Sequence, residues 1–448
     1  MCLLSPNLLL NGGTALANWV FRACMFTAIA LNHNLNHNIL PARTETVIND
    51  NYSSKINHQV KFLASTIKKS LATVAPVTET EELIPKDNPS KNNSDADDPA
   101  IYIHPQDPSQ SLIIATFKDG GLGVYNLTGK KIQNISPPNI RYNNVDIAYG
   151  VEYQSQIVGQ TATVDLAIAS DRANDTLAIF AINTDGRDLA ANDILPLQEV
   201  TSLSIFDSIF GVDDGEATAY GLTTYTSVDD GTTYAFVSQS DGNKIAQLEI
   251  QPELGAADEL TVNAQVVATF ELPIPKGLVA EDALVEGMVV DKETGMLYLA
   301  QENFGIWKIN ADPTEKFNER SPVLIDSVKS IKPDSPLSAD IEGLTIYYGD
   351  NGTKYLIASS QGDSTFAIYD LAQDNSYLGS FAVEGVGKTD GLDITNIFLG
   401  EQYPAGLLVV QDGVNKVSKN SLNTQNNGIG DLNPNFKFVS AKDIFDNY

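Results

Sequence analysis

The sequence predicts an all-β protein, a six-bladed β-propeller behind an N-terminal extension, and three observations carry that expectation. From Asp95 onward the chain consists of short β-type runs punctuated by Gly, Asp and Asn, with almost no helical periodicity. A strand–turn–strand unit recurs six times, starting at Leu112, Asp165, Thr233, Met296, Lys354 and Gly406, at intervals of roughly 50–70 residues that suit four-stranded blades. A second motif precedes each unit: DDPAIYIHP, NNVDIAYG, AYGLTTYTS, VEGMVVDKETG, IEGLTIYYGDNG and TDGLDITNIFLG. A β-sandwich would not repeat at this period, and a solenoid would use a shorter one.

The elements follow in order. Ala23 to Leu31, an apolar run behind Arg22, is too short to span a bilayer but has the length of a secretory leader's core. Two readings of residues 1–31 stand, a cleaved signal that sends the protein to the periplasm or medium, and an unstructured leader. Residues 32–78, rich in Asn, Lys, Ser and Thr, are expected to be a linker with a short helix around Val60 to Ala72. Residues 79–448 are expected to form the propeller, entered through the irregular segment Pro85 to Asp95. No later segment has the length and apolarity of a membrane helix.

Charge narrows the function. Against 28 Lys+Arg stand 57 Asp+Glu, a formal net charge of −29, and such a surface repels nucleic acid and anionic membranes. An acidic partner is then excluded unless bound cations invert the local field. Cys2 and Cys24 both precede the predicted propeller, which therefore has no disulfide and no zinc–cysteine site.

In a propeller the first strand of every blade lines a central channel, so equivalent positions form rings. The opening position of the preceding motif gives Asp97 and Asp98, Asn144 and Asp146, Tyr220, Glu286, Glu342 and Asp390. The position before the turn of the repeated unit gives Lys118, Arg172, Asp241, Glu302, Gln361 and Asp412. Turn chemistry alone could account for Asp241 and Asp412, each followed by Gly. It does not account for Glu286 and Glu342, which lead straight into apolar strands. Several carboxylates around one channel mouth repel unless neutralised, and few basic residues are available, so metal is the economical answer. An all-oxygen donor set points to a hard cation, Ca²⁺ before Mg²⁺ because it tolerates irregular coordination. No EF-hand loop is present, so ligands must come from distant parts of the chain. Lys118 and Arg172, on adjacent blades, suit an anionic substrate held between cationic side chains and metal. Rival phosphatase chemistries lack their residues: there is no RHGxRxP-type segment, no Cys-x5-Arg, and His104 in IYIHPQDP has no serine partner.

At these residues the chain resembles the β-propeller (alkaline, calcium-dependent 3-phytase) family. DADDPAIYIHP at Asp95, NNVDI at Asn143, EGM at Glu286, GMLYLAQENFGIWKI, DIEGLTIYY at Asp340, ASSQG at Ala358, TDGLDI at Thr389 and NFKFVSAKDIF at Asn435 match in order, from about residue 79 to the C-terminus. The resemblance implies that Glu79, Asp97, Glu286, Glu302, Asp340, Glu342 and Glu384 bind several Ca²⁺ ions at a phosphate site. It implies a further, structural calcium on Asp98 and the carbonyls of Pro99 and Val145, with Asn143 close by. Lys118, Arg172 and Tyr220 would contact phosphate, with Gln361 and Asp390 as further polar positions. Two departures stand out: Tyr102 replaces a signature Trp, and Ser240 replaces a phosphate-contacting Lys, with Lys244 nearby in sequence.

The activity expected from the resemblance is removal of phosphate from myo-inositol hexakisphosphate, phytate or its calcium salt, by a monomer. A water bridging the metal ions would attack phosphorus while Lys118 and Arg172 hold the phosphate. Two alternatives remain, a non-catalytic binding propeller and a calcium-dependent lactonase or esterase propeller; cations at adjacent blade mouths count against the latter.

Overall fold

The computed structural model describes residues 71–83, 95–155, 159–183, 196–201, 208–212, 215–255, 259–312, 321–414 and 434–446. The leader and the helix expected near Val60 lie outside these residues, apart from the last two positions of that helix. Two short strands come first, β1 (Ala72–Val74) and β2 (Thr78–Glu79). Ala72–Val74 thus form a strand within the stretch expected as linker.

Six sheets follow. Blade 1 comprises β3 (Pro99–Tyr102), β4 (Leu112–Thr116), β5 (Leu122–Asn126) and β6 (Lys131–Ile135). Blade 2 holds β7 (Tyr142–Gln154), β8 (Thr161–Asp171), β9 (Thr176–Ile182) and β10 (Leu197–Glu199). Blade 3 holds β11 (Ala219–Thr226), β12 (Thr233–Gln239), β13 (Lys244–Leu254) and β14 (Leu260–Glu271). In blade 4 these are β15 (Val285–Asp291), β16 (Met296–Gln301), β17 (Gly305–Asn310) and β18 (Val323–Ser327). Blade 5 has β19 (Ile341–Tyr348), β20 (Lys354–Ser360), β21 (Thr365–Asp370) and β22 (Ser376–Val383). Blade 6 has β23 (Leu392–Ile394), β24 (Leu407–Asp412) and β25 (Asn435–Ser440), followed by a short helix, α1 (Ala441–Phe445).

Within each blade successive strands pair antiparallel; the N-terminal strand β2 supplies the fourth strand of blade 6, and β1 adds a fifth to blade 5. β2 adds antiparallel to β25 with Thr78 opposite Phe438, and β1 adds parallel to β22. The first strands β3, β7, β11, β15, β19 and β23 neighbour one another in a closed ring. Burial follows this layout: six apolar clusters form, each shared by two adjacent blades, such as Leu166, Ile168, Val237 and Leu248 between blades 2 and 3. Strands covered on both faces read as continuous apolar runs, which is why LIIA and LLVV mark the second strands.

Each inner strand is the edge of its own sheet, so its outward N–H groups need partners other than a neighbouring strand. Carboxylates supply them. Asp98 Oδ2 accepts from Val145 N (3.1 Å), Asp146 Oδ2 from Thr224 N (2.7 Å) and Asp393 Oδ2 from Ile101 N (2.8 Å), each joining two blades.

Candidate metal centre

Four inner strands carry a register shift near their starts: between Tyr142 and Val145, Ala219 and Leu222, Val285 and Met288, and Ile341 and Leu344. Such bulges bend a strand and re-aim its side chains. The bulged residues are Asn143, Tyr220, Glu286 and Glu342, so the irregularity turns them into the channel mouth. Glycine follows three of them, where the next blade leaves no room for a side chain. A Cβ on Gly221 would lie 2.1 Å from the Glu286 carbonyl oxygen, and one on Gly287 would lie 2.0 Å from that of Glu342.

The structure brings most of the expected residues together. Oxygens of Glu286, Glu302 and Glu342 lie within 4.8 Å of one another, and all three side chains are buried. Tyr220 Oη donates to Glu286 Oε2 (2.7 Å) and Glu302 Oε1 (3.2 Å). Asn143 Nδ2 donates to Glu286 Oε1 (2.8 Å), so donors fix both Glu286 oxygens. On the next blades Gln361 Nε2 reaches Glu342 Oε1 (3.1 Å) and Asp390 Oδ1 (2.6 Å), while Gln411 Nε2 meets Asp390 Oδ2 (3.1 Å). Lys118 Nζ lies 3.2 Å from Asp97 Oδ1 and 3.4 Å from Asp95 Oδ2. Its backbone is left-handed (φ 45°), unusual for a residue with a long side chain. The Arg172 guanidinium stacks over the Tyr220 ring, 5.1 Å from its centroid, and its buried Nε has no hydrogen-bond partner.

The electrostatics are those of a crowded acidic pocket. Burial, then the Glu286 charge, pushes the Glu302 and Glu342 carboxyls well above the usual carboxylate range. Burial also pushes Asp390 up to about 7, and it raises Asp97, whose shift Lys118 partly offsets. Asp340, just before β19, is raised by burial and then by Glu286. The Tyr220 hydroxyl is pushed up by burial and the surrounding acids, so it stays a donor. Lys118 is raised, chiefly by Asp97, and stays charged.

Several acceptors remain unused. Asp97 Oδ2, Asn143 Oδ1 and Glu342 Oε2 are buried without a hydrogen-bond partner. Unmet buried acceptors beside three converging carboxylates are what a hard cation with many oxygen ligands would satisfy. The donor set therefore fits a divalent metal.

Other expected residues fall elsewhere. Asp98, Pro99 and Val145 line a narrow cavity of about 50 Å³ deeper in the channel, together with Asp146 and Asp393. Glu79, at the end of β2, accepts from Lys437 Nζ and from Asn435 Nδ2 (3.2 Å), and no contact joins it to the Glu286 cluster. Glu384 is exposed just past β22 with its N–H on the Val74 carbonyl (2.8 Å). Lys244 opens β13 in register with Glu271.

Three ring assignments shift by one residue or more. Asn143, not Asn144 or Asp146, is the blade 2 member, because the bulge displaces the register; Asp146 sits farther down the channel. Ser240, buried and without a partner for Oγ, holds the blade 3 place expected for Asp241, which is exposed in the turn with φ 52°. In blade 6 Asp412 turns away to accept from Gly387 N (3.0 Å) and Val414 N (3.2 Å). Gln411 was not anticipated; its signal was a polar residue ending the apolar run LLVV.

A sequence model described as Phytase matches residues 46–448. The chain belongs to the phytase family. A 3-phytase of Bacillus subtilis (strain 168) is 33% identical to this phytase-family chain over 357 residues, covering 78% of it and 80% of the relative. Among solved structures, a periplasmic gluconolactonase of Pseudomonas aeruginosa is similar with a TM-score of 0.38 and 12% identity, over 64% of this chain and 70% of that one. The β-propeller domain of Myceliophteria thermophila Cps50 (Swd1) gives 0.37 and 7%, over 70% and 79%. Among the described residues no helix is long and apolar enough to cross a membrane.

Proposed function

We propose that this phytase-family enzyme is a 3-phytase that hydrolyses phosphate monoesters of phytate and depends on Ca²⁺ held at the Glu286–Glu302–Glu342 cluster. The observation that carries the reading is the convergence of three buried glutamates on a mouth whose opposite side presents Lys118 and Arg172.

A protein of net charge −29 repels a hexakisphosphate, so the site itself must supply positive charge. Bound Ca²⁺ would supply charge to offset both the carboxylates and the phosphate, and would acidify a water beside the phosphorus. Glu286, Glu302, Glu342, Asp97 and Asp340 would hold the ions, and Tyr220 and Asn143 orient Glu286. Lys118 and Arg172 would bind the phosphate oxygens and stabilise the charge that moves onto them as the ester bond breaks. The Tyr220 ring under the Arg172 guanidinium sets the direction in which its fork faces. Asp98, Pro99 and Val145 offer a second, structural cation place in the narrow part of the channel. A periplasmic or secreted location and a monomeric state complete the reading.

Phosphate release from phytate, measured after EDTA treatment and again on restoring Ca²⁺, tests it. Activity is expected only with Ca²⁺; full turnover in EDTA, or none on phytate in either condition, would remove the assignment.

A further inference from the structure

The second strand of each blade ends its apolar run on a recurring position: Thr116, Ser170, Ser238, Ala300, Ser359 and Gln411. At Thr116, Ser170, Ser238 and Ser359 a hydroxyl side chain is fully buried in an apolar strand, where it costs stability unless it is hydrogen-bonded. At Thr116, Ser170 and Ser238 it accepts an inner-strand N–H of its own blade and donates to a carbonyl of the next, whereas Ser359 Oγ donates to Thr389 O (2.8 Å) of the next blade. Ser170 Oγ accepts from Asn144 N (3.1 Å) in its own blade and donates to the Tyr220 carbonyl in the next. Ser238 Oγ accepts from Gly221 N (2.8 Å) and donates to Val285 O (2.5 Å). Thr116 Oγ1 accepts from Asp98 N (3.0 Å) and donates to Asn143 O (2.5 Å). Gln411 does the same with an amide, accepting from Asp390 N (2.8 Å) and donating to Ala96 O (2.9 Å).

For Ser170 and Ser238, whose inner strands are bulged, the reason lies in the bulge. An extra residue in an inner strand leaves its N–H outside the ladder, buried and in need of an acceptor. A hydroxyl meets that need and has one proton left to give. That proton goes to the carbonyl of the next blade's ring residue, Asn143 or Tyr220, or of the residue just before it, Val285. The hydroxyls therefore run hand to hand from Asp97 through Asn143 and Tyr220 to Glu286. The last three are the residues whose side chains meet at one carboxylate, Asn143 on Oε1 and Tyr220 on Oε2. At the next junction Ala300 offers no hydroxyl, and only the close packing of Gly287 on the Glu342 carbonyl remains, as Gly221 packs on that of Glu286 one blade earlier.

We propose that Ser170 and Ser238, with Thr116, are positioning residues for the cation site: their hydroxyls fix the spacing between adjacent inner strands and so hold Asn143 and Tyr220 on the two oxygens of Glu286. The proposal rests on the reading of the Glu286 cluster as a Ca²⁺ site. Groups that orient a metal ligand typically influence affinity about 10–100-fold when removed.

The test is calorimetric titration of Ca²⁺ into the EDTA-stripped, dialysed full-length protein, alongside thermal unfolding in EDTA. Ser170→Ala and Ser238→Ala are each expected to weaken Ca²⁺ binding about tenfold or more, and Ser238→Thr, which keeps the hydroxyl, to restore it. Thr233→Val serves as the control. It removes a buried hydroxyl that bonds Thr226 Oγ1 (3.1 Å) at the other end of the same strand, and it should lower the unfolding midpoint without changing Ca²⁺ affinity. Should Ser238→Ala not fold, Ser238→Cys and Ser170→Ala carry the same comparison. Serine variants that bind Ca²⁺ like the wild type overturn the relay, as does a Thr233→Val variant that loses as much affinity. A wild type that binds no Ca²⁺ overturns the cation site and the relay together, an outcome distinct from losing the relay alone.

Discussion

Blades 1–3 and blades 4–6 use one backbone plan to opposite electrostatic ends. At the outer ring place the first three blades carry Lys118, Arg172 and Ser240, and the other three carry Glu302, Gln361 and Gly413. At the inner place stand Asp97, Asn143 and Tyr220 on one side and Glu286, Glu342 and Asp390 on the other. One half thus sets two cations against a single carboxylate; the other has four carboxylates and no cation. A repeat fold makes positions equivalent in geometry while leaving each free in chemistry, and here that freedom divides the mouth into a basic side and an acidic side.

Breaking either half should silence the enzyme for different reasons. Arg172→Ala and Glu342→Gln are each expected to lower turnover by about a hundredfold or more. Only Glu342→Gln should also weaken Ca²⁺ binding, while Lys118→Met, by freeing Asp97, should strengthen it. Phosphate release and calorimetry on the same samples separate the two, and an equal loss of Ca²⁺ affinity in Arg172→Ala would erase the division. Removing cations with EDTA should also lower the unfolding temperature, because an ion bound only by the folded state stabilises it; differential scanning calorimetry reads this.

A pH series sharpens the contrast further. In the cation-free protein Asp390 is pushed up to about 7 and Asp393 to about 6, both chiefly by burial. The folded state therefore binds protons that the unfolded chain, with ordinary carboxyls, has released. Their contribution to stability is full below the ordinary carboxylate pKa near 4 and is lost as pH rises through about 6–7. Unfolding midpoints in EDTA should fall over that range, while Ca²⁺ affinity rises because the ions displace those protons. An EDTA midpoint that climbs with pH would contradict the sign. The smallest effect is expected from Tyr220→Phe, which keeps the ring under Arg172 but removes the donor to Glu286 and Glu302 and should cost about tenfold in turnover.

The repeat period made the architecture legible in the sequence, since buried second strands read as apolar runs ending at a turn. Lys118, Arg172, Glu302 and Gln361 could be found for the same reason: each sits at a fixed step from such a run. The bulges were not legible. They shift register by one residue without changing composition, so Asn144 and Asp146 looked equivalent to Glu286 while Asn143 holds the place. Asp241 stands at the expected repeat position, and the turn chemistry that could equally account for it, a left-handed backbone before Gly242, is why it faces away. The pairing of Glu79 with Lys437 joins residues 358 positions apart, a distance over which no local pattern reports.

β2 and β25 come from opposite ends of the described chain, and Thr78 finds Phe438 only once nearly everything between them exists. Such a seam is a contact of very long sequence separation, and loop-closure entropy must be met before the pairing is rewarded. On the ribosome, then, the emerging polypeptide can stack its blades one after another but cannot shut the circle until β25 has emerged. The channel mouth, which needs blade 6 beside blade 1, comes into being only then, and a chain cut off before β23 would have most parts of the enzyme without its pocket.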